Sequence, residues 1–165
     1  MGAALILIVA KATALSGLAV AAVVDLHRRI IPNGAVLAVA SAGLVLRLWD
    51  FDGEALAISA ALAFLLLAGL GQLARRGIVG GGDAKLIAAA SLLQPAAAVP
   101  TVLIFIALAG GVLAVVYLMR QWLYALKPAI SLQGESRAAT GPQSLPYAVA
   151  IGLGVLSFHI VRGVP

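Results

Sequence analysis

Two aspartates, Asp25 and Asp83, are the residues of this chain best suited to chemistry. Six of the 165 residues are acidic, whereas 63% of the residues are hydrophobic. A carboxylate near lipid is costly unless it is hydrated or paired, so each acidic residue calls for an explanation. Four are explained as hydrated surface charges in polar segments: Asp50, Asp52, Glu54 and Glu135. Asp25 and Asp83 are left as the candidate catalytic pair.

Two carboxylates at one site can work as an acid and a base, because their repulsion raises the pKa of one and leaves the other ionised. In peptide hydrolysis, the ionised carboxylate takes a proton from water while the neutral one polarises the carbonyl group. Return of the proton then releases the amine. This chemistry requires neither a metal nor a cofactor. The residue types do not distinguish which aspartate is the base.

Each aspartate also has a purely structural interpretation. Asp25 is followed by Arg28 and Arg29, so it can be a charge at the membrane boundary that pairs with an arginine. Asp83 precedes an apolar run, so it can be the N-cap of a helix, with a carboxylate that accepts a backbone N–H. Both interpretations stay open when each aspartate is considered alone.

A run of three glycines, Gly80-Gly81-Gly82, stands directly before Asp83. An ordinary N-cap needs no such run. Glycine gives the backbone freedom and lets another chain lie against it. We therefore expect Gly80 and Gly82 to admit an extended substrate to Asp83, with a flexible loop as the alternative.

The composition argues against several other kinds of site. The chain has no cysteine, which removes disulfides, thiolate metal sites and a cysteine nucleophile. His27 and His159 are predicted at opposite faces of the membrane and do not form a common metal site. The net charge of +5 comes from basic residues dispersed between apolar segments, a pattern typical of membrane topology rather than nucleic-acid binding. We expect no cofactor, no metal and no nucleic-acid partner.

The elements that must position the aspartates are apolar helices. The mean hydropathy is +1.12 and 10% of the residues are charged, as expected of a chain embedded in the lipid bilayer. The apolar runs predict an all-α, polytopic membrane protein with about six transmembrane helices in a single domain, residues 1–165. These runs cover residues 3–24, 35–48, 55–74, 84–93, 100–119 and 145–161. The first run lacks the features of a signal peptide and is expected to be retained.

The basic residues predict the orientation of these helices. Most of them fall in three alternate connections: Arg28 and Arg29; Arg75, Arg76 and Lys85; Arg120, Lys127 and Arg137. By the positive-inside rule these connections face the cytoplasm, which leaves the acidic turn around Asp52 and both termini outside. Asp25 and Asp83 are therefore expected on the same, cytoplasmic side.

Two motifs surround the aspartates. The first is Asp25-Leu26-His27-Arg28-Arg29-Ile30-Ile31-Pro32-Asn33, and the second is Gly80-Gly81-Gly82-Asp83-Ala84-Lys85-Leu86. They resemble the two motifs of the prepilin peptidases, membrane aspartic proteases that remove the leader peptides of type IV pilins and related subunits. Leu145-Pro146-Tyr147-Ala148 is a third, weaker similarity to that family.

The resemblance implies that Asp25 and Asp83 are a catalytic dyad at the cytoplasmic boundary of a prokaryotic inner membrane. The implied substrate is a prepilin or pseudopilin. Supporting or substrate-binding roles are implied for the other motif residues Pro32, Asn33, Gly80, Gly82 and Lys85. Lys85 is expected to hold Asp83 ionised or to contact the substrate backbone, and its alternative is a basic residue placed by the positive-inside rule.

The absence of cysteine also bears on the branch of that family. Larger prepilin peptidases have an additional cytoplasmic region, often with paired cysteines, that accompanies N-methylation of the product. This chain resembles the short, peptidase-only branch of the Flp-type (tight-adherence) pili, or its archaeal preflagellin counterparts, without a methyltransferase domain.

Two other functions stay open. A presenilin-like protease that cuts inside a transmembrane helix explains the glycines before Asp83 but leaves Ile31-Pro32-Asn33 unexplained. A small transporter or assembly scaffold would use Asp25 and Asp83 for ion coupling or salt bridges. The sequence does not indicate the oligomeric state.

Overall fold

The computed structural model describes residues 2–49, 52–125 and 146–162. These residues form six α-helices and one short 3-10 turn, without a strand among them, which confirms the all-α class. The helices are α1 (Gly2–Arg28), α2 (Asn33–Trp49), α3 (Gly53–Arg75), α4 (Gly81–Ser91), α5 (Val99–Ala125) and α6 (Tyr147–Arg162), and the turn is Ala96–Ala98. The interpretations of Asp50, Glu135, Arg137 and residues 127–145 lie outside the described residues.

Three helices are long and apolar enough to cross a membrane. They span Gly2–Arg28, Gly53–Arg75 and Ala96–Leu123, with mean hydropathies of 2.1, 2.1 and 2.7. The apolar helices α2 and α6 are shorter, with 17 and 16 residues, and α4 has 11. The chain is therefore a polytopic protein of the membrane type, and the side that each helix end faces stays a prediction.

The ends of α3 follow directly from local sequence chemistry. Asp52 is the N-cap, and its Oδ1 accepts two backbone N–H groups of the first turn, at 3.0 and 3.1 Å, which satisfies donors that a helix start leaves free. Beyond the other end, Gly77 has a φ of 72°, and its N–H bonds back to the carbonyl of Ala74 at 3.0 Å. This glycine turn ends α3 and leads the chain into α4.

The short helix α4 lies in the middle of the bundle. It packs against α2, α3 and α6, while α1 packs against α2 and α6, and α5 packs against α6. Six of the 11 residues of α4 are buried, and most of these are alanine: Ala84, Leu86, Ala88, Ala89, Ala90 and Ser91. Small side chains let neighbouring helices approach closely. The helix that begins at the second motif is thus held on three sides.

Two glycines show how close these approaches are. A Cβ on Gly154 of α6 would lie 2.5 Å from Cα of Ile106 on α5, and a Cβ on Gly43 of α2 would lie 2.7 Å from Cβ of Leu92. Both distances are shorter than real side chains tolerate. These contacts set the position of α6 against α5 and of α2 against the end of α4.

Candidate active site

Three helix ends meet at one end of the bundle. Asp25 lies in the last turn of α1, Asp83 in the first turn of α4, and Ala148 in the first turn of α6. Because α1 packs on α6 and α6 also packs on α4, the two motifs and the start of α6 form one polar site. The expectation that both aspartates lie at the same end of the helices agrees with this geometry.

Asp25 is buried, with 6% of its surface exposed. Its Oδ2 accepts a hydrogen bond from the backbone N–H of Ala148 at 3.0 Å, across 123 positions of sequence. The N–H groups at a helix start have no partner within the helix, and the helix dipole there favours negative charge. Asp25 therefore caps α6 from another helix, and α6 in turn stabilises a carboxylate at Asp25.

This contact replaces the arginine pairing that the sequence suggested for Asp25. Arg28 and Arg29 are both exposed, and the partner of the carboxylate is a backbone N–H. The N–H of Ala148 is a part of the site that the two aspartate motifs do not predict. The available signal was Pro146, because proline is common where a helix begins.

Asp83 is not the N-cap of α4, because that position belongs to Gly80. Asp83 is the third residue of the helix, and its carboxylate accepts a hydrogen bond from the backbone N–H of Gly80. A side chain at this third position commonly reaches back to the N-cap N–H in this way. A Cβ on residue 80 would collide with Oδ2 of Asp83, so this carboxylate position requires a glycine there.

Asp83 lies outside the three long apolar helices, and its pKa is raised to about 6. Burial is the main cause, because it disfavours the charged form, and the negative charge of Asp25 is the second. The hydrogen bond from Gly80 opposes both effects. The two carboxylates thus interact electrostatically and differ in surroundings, with Asp83 being the one that favours the neutral form.

The remaining motif residues bring the two motifs into contact. A Cβ on Gly82 would lie 3.0 Å from Cβ of Ile31, so this glycine lets the first motif pack on α4. Nζ of Lys85 donates to Oδ1 of Asn33 at 3.4 Å, and the carbonyl of Pro32 accepts two N–H groups from the first turn of α2. Pro32, Asn33, Gly82 and Lys85 therefore join the start of α2 to the start of α4.

The expectation for Lys85 changes, and the glycines gain a structural explanation beside the expected one. Lys85 does not hold Asp83 ionised, since the pKa of Asp83 is raised and Lys85 bonds to Asn33 instead. Gly80 and Gly82 have structural reasons to lack a side chain, because each makes a close contact within the protein. Admission of substrate along the glycines stays a prediction. Gly81 is the glycine that leaves space for it, because a Cβ added there would have no heavy atom within 4 Å.

The two histidines occupy separate places. His27 is exposed on α1, with Nδ1 2.9 Å from the carbonyl of Val23, whereas His159 near the end of α6 lies 2.6 Å from the side-chain nitrogen of Gln94. Within the described ranges, no group of three histidine, aspartate or glutamate side chains is arranged to hold a metal ion. The chemistry that this site supports is proton transfer between two carboxylates and water.

Comparison with protein families gives a match over most of the described helices. The model of the type IV leader peptidase family matches residues 12–115, which is more than half of the chain and includes both aspartates and both motifs. Ala148 and the rest of α6 lie beyond the matched region. Comparisons with curated proteins and with solved structures give no match.

Proposed function

The chain belongs to the type IV leader peptidase family, and we propose that it is an aspartic endopeptidase with Asp25 and Asp83 as its catalytic dyad. In this proposal it removes the leader peptides of Flp-type prepilins or related pseudopilins at the cytoplasmic face of a prokaryotic inner membrane. The observation that carries the proposal is the pair of carboxylates in unequal surroundings. One is buried and accepts an N–H from a helix start, and the other is half-buried and has a raised pKa.

The unequal surroundings assign roles to the dyad. Asp25 is the base, because the Ala148 N–H and the α6 dipole stabilise its negative charge. It takes a proton from water as the water oxygen attacks the scissile carbonyl carbon. Asp83, in its neutral form, donates its proton to the carbonyl oxygen, and transfer of a proton to the amide nitrogen accompanies cleavage of the C–N bond. The leader leaves as a carboxylic acid, and the mature subunit gains a free amine.

The proposed substrate class rests on the two motifs and on the composition. The motifs resemble those of prepilin peptidases, and the chain has no cysteine, unlike the larger members of that family that also methylate their product. We therefore propose a peptidase of the Flp-type branch that does not methylate. The basic residues around both motifs support a cytoplasmic position of the site.

Co-expression with a Flp-type prepilin tests the dyad. We expect the wild type to remove the leader, seen by gel mobility and mass, and Asp25→Asn and Asp83→Asn each to reduce the rate by about a thousandfold. Asp52→Asn is the matched control, because Asp52 is exposed and asparagine caps a helix as well as aspartate does. Normal processing by either dyad variant, or no cleavage by folded wild type, would refute the proposal. The second result is the one that a transporter or scaffold predicts.

The proposed orientation has its own test. Reporter fusions after Arg29, Asp52 and Arg76 should place the second junction outside and the other two in the cytoplasm. A cytoplasmic location of the reporter at Asp52 would show that the proposed orientation is wrong. The assignment of the catalytic dyad would then depend on the cleavage test alone.

A further inference from the structure

An open apolar groove runs along α4, beginning beside the candidate active site. α4 forms its floor, and α2 and α3 form its walls, since both pack on α4 but scarcely touch each other. The groove has a volume of about 560 Å³. Its lining comes from all three helices: Asn33, Val36, Leu37, Ala40, Ala63, Phe64, Leu67, Lys85, Ala88, Ala89 and Leu92.

We infer that this groove holds the apolar helix that follows the scissile bond of the substrate. The inference rests on the proposed function and extends it, because it names the surface that selects a membrane-anchored substrate. A leader peptide is cut from a helix that lies in lipid, so the enzyme must hold that helix beside the dyad. The occupant is thus a substrate helix rather than a lipid chain or a second copy of this protein.

Continuity with the dyad is the first argument. Asp83 and the groove floor belong to the same helix, and the groove begins at Lys85, two residues after Asp83. It ends at Leu92, nine residues after Asp83, which is about 14 Å along a helix axis. The groove itself covers the eight residues from Lys85 to Leu92, so the apolar helix of a substrate cut at Asp83 would lie along it for roughly two turns.

The change of polarity along the groove is the second argument. Its mouth holds Lys85 and Asn33, both exposed and hydrogen-bonded to each other, whereas the walls beyond are apolar. A lysine has three N–H donors, so Lys85 keeps donors for the carbonyl groups of an extended peptide. The substrate would be extended at the polar mouth, where it is cut, and helical in the apolar part.

The shape of the groove is the third argument. Its floor carries the small side chains of Ala88 and Ala89, which allow a close approach by another helix. Its rim carries Leu37 and Phe64, which are 68% and 72% exposed. A helix laid on the small residues would be covered at the sides by these two large ones, as in other helix-in-groove contacts.

Two other apolar depressions lack the continuity with the dyad. One lies between the first half of α1 and the second half of α2, away from Asp25. The other is on the surface of α5 and is lined by that helix alone. They serve as controls, because they offer similar apolar chemistry to lipid without a polar mouth at the active site.

Kinetics on matched tryptophan variants test the groove. Ala40→Trp fills it from the half-buried wall of α2, and Ala107→Trp places the same bulk on the exposed face of α5. With a full-length Flp-type prepilin in detergent micelles, we expect Ala40→Trp to raise KM and lower kcat/KM by about tenfold. Ala107→Trp should stay within about twofold of the wild type. A leader-spanning peptide without the apolar helix should be cut equally by both variants.

Photocrosslinking separates the groove from the proposed function. In one variant a benzoylphenylalanine probe replaces Phe64 at the rim, and in a second variant it replaces the exposed Leu108 on α5. Both variants also carry Asp83→Asn, which is expected to bind the prepilin without cleaving it. We expect a prepilin adduct from position 64, mapped by mass to the first turns of the apolar helix, and none from position 108. Three results would refute the proposal that the groove binds the substrate helix. They are adducts to lipid alone, equal prepilin adducts from both positions, and a kcat/KM of Ala40→Trp equal to that of the wild type. If the probe at position 64 forms a prepilin adduct but the wild type never cleaves prepilin, the groove is supported as a binding site and the proposed peptidase activity is refuted.

Discussion

Polar groups lie at both ends of α4, and their surroundings differ. At its start, Asp25 and Asp83 each accept a backbone N–H. Beyond its other end, the amide of Gln94 donates to Nε2 of His159 at 2.6 Å. Gln94 is 4% exposed, and the ring of Phe158 lies edge-on to the histidine, 5.7 Å between centroids. One end of α4 thus holds two acids, and the other holds a neutral hydrogen-bonded pair.

The two ends of α4 illustrate two kinds of polar contact: one that holds helices together and one that can transfer protons. A neutral donor and acceptor satisfy each other, so the Gln94–His159 pair ties the segment after α4 to α6 with no charge to compensate. Two neighbouring carboxylates cannot satisfy each other when both are ionised, so one must favour the neutral form. Changes at the dyad end should therefore reduce activity, and changes at the Gln94 end should reduce stability.

Outside the two aspartates themselves, the largest effect is expected from Gly80→Ala. The added methyl group would occupy the space of the Asp83 carboxylate, while the backbone of Gly80, at φ −66° and ψ 135°, suits alanine. The carboxylate must therefore move, and we expect kcat/KM for prepilin cleavage to fall by about a hundredfold, as when a catalytic group is misplaced by an ångström. Leader removal followed by mass measures the change.

Gly81→Ala is the matched control for that substitution. Nothing lies within 4 Å of a Cβ at this position, and alanine favours a helix over glycine. We expect a stability equal to or above that of the wild type. If Gly81→Ala lowered the rate as much as Gly80→Ala, the glycines would be needed for substrate entry rather than for the position of Asp83.

A smaller effect is expected from pH. The pKa of Asp83 is raised to about 6, and the proposed acid must be protonated to act. Since deprotonation removes the acid, kcat/KM should fall as pH rises through about 6, by about tenfold per unit above it. Substrate that excludes water from the site should raise this pKa further, so the corresponding fall in kcat should occur at higher pH. If kcat/KM instead rises between pH 6 and 8, either the acid and base roles of the two aspartates are reversed or the proposed mechanism is wrong.

The sequence predicted the pair of aspartates but not how each is held. Helix counting and the two motifs placed Asp25 and Asp83 at one end, because helix ends and apolar runs are local properties. The contact between Asp25 and Ala148 spans 123 positions and depends on how α6 packs against α1, which no local pattern encodes. The glycines were predicted to be close to a substrate, whereas Gly80 is close to the carboxylate of Asp83. The groove and the Gln94–His159 contact depend on the same packing of distant helices.

The smallest effect on activity is expected at the other end, from Gln94→Leu. The substitution places an apolar side chain of similar size in the buried position of Gln94 and removes the donor to His159. A buried acceptor left without a donor costs about 1–3 kcal/mol, and because His159 is partly buried we expect the lower end of that range. We expect a lower unfolding temperature in detergent and a kcat/KM within about twofold of the wild type, since the site lies roughly 16 Å along the axis from Asp83. Gln72→Leu is the control, because Gln72 is exposed on α3 and should leave both quantities unchanged. If Gln94→Leu loses activity without losing stability, the two ends of α4 are coupled. The proposed division into an active end and a stabilising end would then be wrong.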